Sequence, residues 1–159
     1  MKGMHDLASV TEKLRMLCSR REYCSSDILK KAIRALDGDS EGASQILEIL
    51  INEKYIDDLR YACAYARDKA SIAGWGTAKI RFMLSAKGVA RDVIDMALLE
   101  IDESKADHRF KKLMLNKSRS LKDDSQKRVK LLRFAMGRGY SYHDASSIID
   151  DIIDNDEGL

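Results

Sequence analysis

The sequence contains no proline at all. Proline breaks helix interiors and marks turns, so its absence favours a chain that is mostly helical. Aromatic residues make up only 6% of the chain. Val and Thr are sparse beside Ala, Leu, Ile, Lys, Arg and Asp, a mixture suited to helices rather than sheets. The three cysteines, Cys18, Cys24 and Cys63, are odd in number and show no CxxC spacing. That pattern argues against a disulfide framework and against a zinc site; reduced thiols in a reducing compartment are the expectation. No run approaches the ~18 apolar residues of a membrane span. The opening Met1–Asp6 lacks the apolar stretch of a signal peptide, and a cytoplasmic location is expected. The formal net charge of +2 does not mark the chain as a nucleic-acid binder in bulk.

Charge is less even along the chain. Lys105 to Arg138 carries twelve Lys or Arg against three acids, Asp107, Asp123 and Asp124. Beyond Gly139 there are six acids (Asp144, Asp150, Asp151, Asp154, Asp156, Glu157) and neither Lys nor Arg. Such a division can form faces of opposite sign, or merely solvated helix surfaces.

Apolar residues recur at helical spacing in nine segments. The first is expected over 6–20, with Leu7, Val10, Leu14 and Leu17 inward. Ser25 or Ser26 is expected to cap a second over 27–36, and a third carries Ile46, Leu47, Ile49 and Leu50. A fourth starts near Asp57, where paired acids suit the positive end of the helix dipole. The fifth, 77–87, ends at Gly88, a natural left-handed C′ residue, and the sixth spans 91–101. The seventh is expected over 105–117, with 118–125 a loop. The eighth, 126–137, carries Val129, Leu131 and Leu132, and the ninth spans 143–153.

These segments repeat at about fifty residues. Lys87-Gly88 lies over Arg138-Gly139, Ile80 over Leu131 and Met83 over Phe134. Three three-helix units are expected, at 7–53, 56–102 and 103–154, the first atypical at Leu36-Asp37-Gly38. The fold class read from this is all-α, an elongated, curved tandem array of three three-helix repeats.

The ordered motifs match a known family. Tyr55-Ile56-Asp57-Asp58-Leu59-Arg60-Tyr61-Ala62 resembles the G-[hydrophobic]-D-D-x-R-[Phe/Tyr]-A signature of RecX proteins. Gly74-Trp75-Gly76-Thr77-Ala78-Lys79-Ile80-Arg81, then Leu84 and Lys87-Gly88-Val89, resembles the family's G-x-G block. Arg133-Phe134-Ala135-Met136-Gly137-Arg138-Gly139-Tyr140 is similar to its R-F-L-x-x-R-G-[aromatic] block. Lys54 stands where the family has glycine. The resemblance implies a modulator of the RecA recombinase that lies on the RecA–DNA filament and restrains its ATP hydrolysis and strand exchange, in DNA repair and the SOS response. It implies a monomer without catalytic activity or cofactor, whose partners are the RecA filament and single-stranded DNA, met directly or through RecA.

The residues themselves support few sharper alternatives. Adjacent Asp57 and Asp58 point about 100° apart on a helix and cannot converge on a metal; they read as helix-start anions, with Asp57 a direct cap. Gly74-Trp75-Gly76 is too short for a phosphate loop and reads as a tight turn. Trp75 is either a core plug or a partner anchor. Tyr61 and Tyr65, at i and i+4, read as packing residues. His5, His108 and His143 are scattered, and no catalytic constellation is legible. Arg81, Lys87, Lys127, Lys130, Arg133 and Arg138, around the two repeated middle helices, are the candidates for filament or DNA contact. A reading of another class is a general helical-repeat nucleic-acid binder independent of RecA, which would bind DNA alone with a steep salt dependence.

Overall fold

The computed structural model describes residues 6–157. Met1–His5, and with them the opening segment and His5, lie outside the described residues, as do the side chains of Asp156 and Glu157. The described residues form nine helices and no strand. They are α1 (Leu7–Arg20), α2 (Ser25–Ala35), α3 (Ser40–Asn52), α4 (Asp58–Ser71), α5 (Thr77–Ala86), α6 (Arg91–Leu98), α7 (Glu103–Ser120), α8 (Lys127–Gly137) and α9 (Tyr142–Glu157). The all-α repeat class expected from the sequence is the observed one.

Short polar side chains start most of these helices. Asp6 accepts from the Ser9 amide at 2.6 Å, Asp39 from Gly42 at 3.0 Å, Asp57 from Arg60 at 3.0 Å and Asp102 from Lys105 at 3.1 Å. The Ser141 hydroxyl accepts from the Asp144 amide at 3.1 Å. Each satisfies one of the amides that the first turn leaves without an intrahelical partner, worth about 1 kcal/mol. Helix α2, like α8, has no such bond from its own cap residue. Neither serine caps it: Cys24 holds the cap position without a side-chain bond, and Ser25 is already helical.

The middle helix of each triplet ends at a constant interval, at Ala35, Ala86 and Gly137. Each closes with the same pair of 5→2 and 6→1 bonds. Gly88 donates to Ser85 and Val89 to Leu84; Gly139 donates to Met136 and Tyr140 to Ala135; Asp37 donates to Arg34 and Gly38 to Ile33. The turn residue takes φ +78° at Gly88, +93° at Gly139 and +53° at Asp37. Aspartate is one of the few side chains that visit this region routinely, so the first triplet keeps the turn without the glycine. The same closure ends α3, with Lys54 at φ +65°.

The chain packs as two compact units. One comprises the chain through Ala64 with Leu84–Ala97; the other comprises Tyr65–Met83 with the chain from Leu98. In the first, Val10, Leu14 and Cys18 of α1 meet Ile28 and Ala32 of α2, Ala43, Ile46 and Leu50 of α3, and Ile56. In the second, Phe110 and Met114 of α7 pack with Leu131 and Ala135 of α8 and Ala145, Ile149 and Ile152 of α9. Full burial of each large aliphatic or aromatic side chain stabilises by about 1.5–3 kcal/mol.

Some expected positions differ. Leu7, Ile49 and Val129 are exposed rather than inward. Leu7 is the first residue of its helix, and Val129 lies off the Leu131–Ala135 face. Cys18 takes the inward place on α1 that Leu17 only half fills. Helix α7 runs on through Ser120 because buried Ser118 continues its Ala106–Phe110–Met114 face at i+4 spacing.

Candidate functional site

The motifs quoted above resolve into two junctions, each within one compact unit. The first is built on the N-terminus of α2. The Asp58 carboxylate reaches across from α4 and accepts the Ser25 amide at 2.7 Å and the Ser25 hydroxyl at 2.6 Å. It therefore supplies the cap that Cys24 cannot. Beside it, the Ser26 hydroxyl donates to the Lys87 carbonyl, and the Lys87 ammonium pairs with Asp27 at 3.0 Å. Burial pushes the Asp27 carboxyl up, but the hydrogen bonds from Lys87 and Cys24 and the charges of Lys87 and Lys30 outweigh it and hold the group below its ordinary value. Arg60 locks the preceding turn: its guanidinium pairs with Glu22 at 2.8 Å and donates to the carbonyls of Lys54 and Tyr55 at 3.1 and 3.2 Å.

The second junction lies on the α4–α5 turn. The Gly76 amide donates to the Arg138 carbonyl at 2.7 Å, and the Lys79 ammonium donates to the Gly137 carbonyl at 3.3 Å. The Arg138 guanidinium donates to the Ala73 carbonyl and lies 4.9 Å over the Phe134 ring. The backbones meet so closely that a Cβ on Gly76 would stand 2.4 Å from the Gly139 carbonyl oxygen. A Cβ on Gly139 would stand 2.6 Å from the Lys79 nitrogen. Trp75 is half-buried at this turn, with the ammonium groups of Lys79 at 4.3 Å and Lys69 at 4.7 Å from its ring centroid and Tyr65 edge-on at 6.3 Å. Its ring thus has cationic and aromatic partners within the unit. Gly74 turns with φ +71°, and Ile80 and Leu84 are fully buried. Tyr61 is half-buried on α4.

The six contact candidates divide. Lys87 and Arg138 hold the two junctions. Lys130 pairs with Asp124, and Lys127 is half-buried and engaged within the molecule. Arg81 and Arg133 are exposed, Arg81 while also engaged within the molecule.

The reading by sequence missed a basic face on α7. Lys105, His108, Arg109, Lys112 and Arg119, with Asn116, fall at i, i+3, i+4, i+7, i+14 and i+11. They form one stripe opposite the buried Ala106–Phe110–Met114–Ser118 face. The spacing was visible, but a helix ended at Lys117 leaves Arg119 out. Lys105, His108, Arg109 and Lys112 line a shallow cleft of about 430 Å³ with Ser71 and Ser104. Arg109 is fixed there by donating to the Ile72 carbonyl at 2.7 Å. A second cleft in the same unit, about 470 Å³, has the opposite sign, with Glu103, Asp107 and Asp144 around Trp75 and Tyr140. Tyr140 stacks on Phe110 at 3.6 Å. Burial first, then the charges of Asp107 and Asp144 against that of Arg138, push its phenol up to about 12, so it stays protonated.

Among the described residues, no group of three or more His, Cys, Asp or Glu is placed to hold a metal ion. None of their helices is long and apolar enough to cross a membrane. Cys18 and Cys24 are buried free thiols and Cys63 is half-buried.

The fold and its interlocking helix ends define a helical-repeat protein whose recurrent motifs tie helix ends together within each compact unit. The family model for the RecX second three-helix domain matches residues 57–98. Regulatory protein RecX of Vibrio campbellii is 30% identical over 138 residues, which is 82% of this chain and 83% of that protein. Regulatory protein RecX of Clostridium botulinum (strain Eklund 17B / Type B) is 33% identical over 119 residues, 72% of this chain and 53% of that protein. The chain thus spans about half the length of the clostridial relatives it matches. A crystal structure of a regulatory protein RecX superposes with a TM-score of 0.76 at 27% identity, over 93% of this chain and 71% of that one. RecX from Lactobacillus salivarius gives 0.77 at 22% identity over 92% and 96%, a likeness of fold. The chain belongs to the RecX family of regulatory proteins.

Proposed function

We propose that this chain binds the RecA recombinase filament assembled on DNA and restrains its growth and ATP turnover, as a monomeric, cytoplasmic regulator without catalytic chemistry of its own. The observation that carries this reading is membership of the RecX family across most of a relative's length. The geometry agrees in kind: the recurrent motifs are used in tying helix ends together, and cations remain on exposed faces. In this reading the triplets at 7–53, 56–102 and 103–154 span neighbouring subunits of the filament. Several weak contacts then act at high effective concentration, and the filament is held in the state to which the regulator binds better. Arg81 and Arg133, on the exposed sides of α5 and α8, are the contact residues of choice because their side chains reach solvent.

The test is the DNA-dependent ATPase of RecA at a low molar ratio of this protein. Suppression well below one regulator per RecA is expected, and Arg81→Glu with Arg133→Glu should weaken it. Absence of suppression, or suppression only by strict one-to-one titration, would refute the reading.

A further inference from the structure

We propose that the acidic cleft beside the α4–α5 turn is a binding site for an organic cation of the guanidinium type carried on an apolar stem. This goes beyond the filament reading, which makes no use of the cleft. The cleft holds about 470 Å³, within the range of small-ligand sites. Its walls are chiefly apolar, with Ala70, Trp75, Ile101, Ala106 and Met136 among them. Around these walls stand three carboxylates, Glu103 and Asp107 from α7 and Asp144 from α9. The acids therefore do not form a bare surface cluster; they edge an apolar cavity, which is the make-up of a ligand site. The walls are also fixed in advance. The Gly76 amide bonds the Arg138 carbonyl at 2.7 Å, tying the α4–α5 turn to the α8–α9 turn, and Tyr140 is stacked on Phe110. A site built beforehand costs little ordering when it is filled.

The carboxylates set the sign of the ligand. Glu103 and Asp144 lie in the first turns of their helices, where the dipole favours them. Asp107 lies beyond that turn and four residues from Glu103, where like charges repel. Among the described residues, no Lys or Arg forms an ion pair with any of the three. The nearest cations are used elsewhere, Arg138 on the Ala73 carbonyl and Lys79 on the Gly137 carbonyl. Asp107 and Asp144 both act on the Tyr140 phenol, so two helices bring negative charge to one place. The neighbours also set the ligand's form. Lys79 and Lys69 stand 4.3 and 4.7 Å from the Trp75 ring centroid and repel a second positive charge there. A polyamine is thus disfavoured, and a single charge at the carboxylates with an apolar body against Trp75 and Met136 is favoured. Carboxylates from two helices suit the planar, many-donor guanidinium fork better than a compact, strongly hydrated ammonium.

Trp75 is the single tryptophan of the chain, so its fluorescence reports on this cleft. The experiment titrates the full chain with n-hexylguanidinium in the absence of RecA and DNA. A saturable change in emission is expected, with a Kd on the order of 1 mM or below for a ligand of about ten non-hydrogen atoms. The uncharged isostere n-hexylurea, and methylguanidinium without the stem, should each bind at least about tenfold more weakly. Asp107→Asn/Asp144→Asn should weaken binding about tenfold or more. Asp123→Asn/Asp151→Asn, which makes the same change of net charge outside the cleft, should change it by less than about twofold. Circular dichroism checks that each variant keeps its helices, and the comparison with n-hexylurea needs no variant. A blocked Gly-Arg-Gly tripeptide separates two sources of this chemistry. Tighter binding than n-hexylguanidinium assigns the cleft to an arginine side chain of a protein, and weaker binding to a free organic cation. No saturable change by about 20 mM, equal binding of n-hexylurea, or an unchanged affinity of Asp107→Asn/Asp144→Asn would overturn the proposal. Any of these leaves the ATPase test of the filament reading intact.

Discussion

The two junctions use the same parts, a basic residue and a left-handed glycine at the end of a middle helix, and build them differently. At Gly88 the glycine is needed only for its backbone angle, since a Cβ there would meet Ser26 at an ordinary 3.7 Å. At Gly139 angle and space both demand it, because the chain crosses Gly76 and Lys79 at backbone distance. The basic residues differ too. Lys87 makes a partly exposed ion pair with Asp27, whereas Arg138 sends a charge-assisted bond to a main-chain carbonyl and lies on Phe134. One motif therefore marks a soft electrostatic joint in one unit and a tight backbone joint in the other.

The largest expected effect sharpens this contrast. Gly139→Ala combines left-handed strain of ~1–2 kcal/mol with overpacking of ~1–3 kcal/mol, and should cost about 3 kcal/mol or more. Gly88→Ala carries the strain alone and should cost about 1–2 kcal/mol. Equal losses in urea unfolding would erase the distinction. Arg138→Met should cost about 2 kcal/mol, because it leaves the Ala73 carbonyl without its charged donor. Lys87→Met should cost under about 1 kcal/mol at pH 7, as expected of a partly exposed pair. Next in size, Lys54→Gly should stabilise by up to about 1 kcal/mol, since a lysine there occupies a left-handed turn that glycine enters freely; a lower unfolding midpoint would mean that the Arg60 clamp depends on the lysine itself.

The smallest effect is one of pH. The Asp27 carboxyl is held below its ordinary value in the folded protein. Its contribution is therefore present above the unfolded carboxylate range and lost as pH falls through the folded value. The stability gap between the native chain and Lys87→Met should close below about pH 4. A gap that widens on acidification would show that Lys87 acts through packing rather than through the pair.

Helical periodicity was enough to locate all nine elements, because buried residues recur at three and four positions wherever a helix lies on a core. Capping was legible where donor and acceptor are close in sequence, as at Asp57. It was not legible at Ser25, whose partner Asp58 lies thirty-three positions away and belongs to another helix. Lys54 was visible as a departure from the motif, and its φ of +65° shows that the turn survives the exchange. Among the contact candidates, basic character was readable but commitment was not: Lys87 and Arg138 look like surface cations until the junctions bring their partners to them. The α7 face was hidden by a boundary, since polar Ser118 reads as the start of a loop and is in fact buried.

Asp58 also bears on how the first unit comes into being. Helix α2 has no cap of its own, and an isolated helix of 11 residues is marginal in water. Its first turn is completed only once α4 has been made and brought alongside. The start of α2 in the opening triplet is therefore unfinished until α4 joins it. During synthesis it must wait for the start of α4, and afterwards the amide of Ser25 should exchange with solvent only as often as that long-range bond opens.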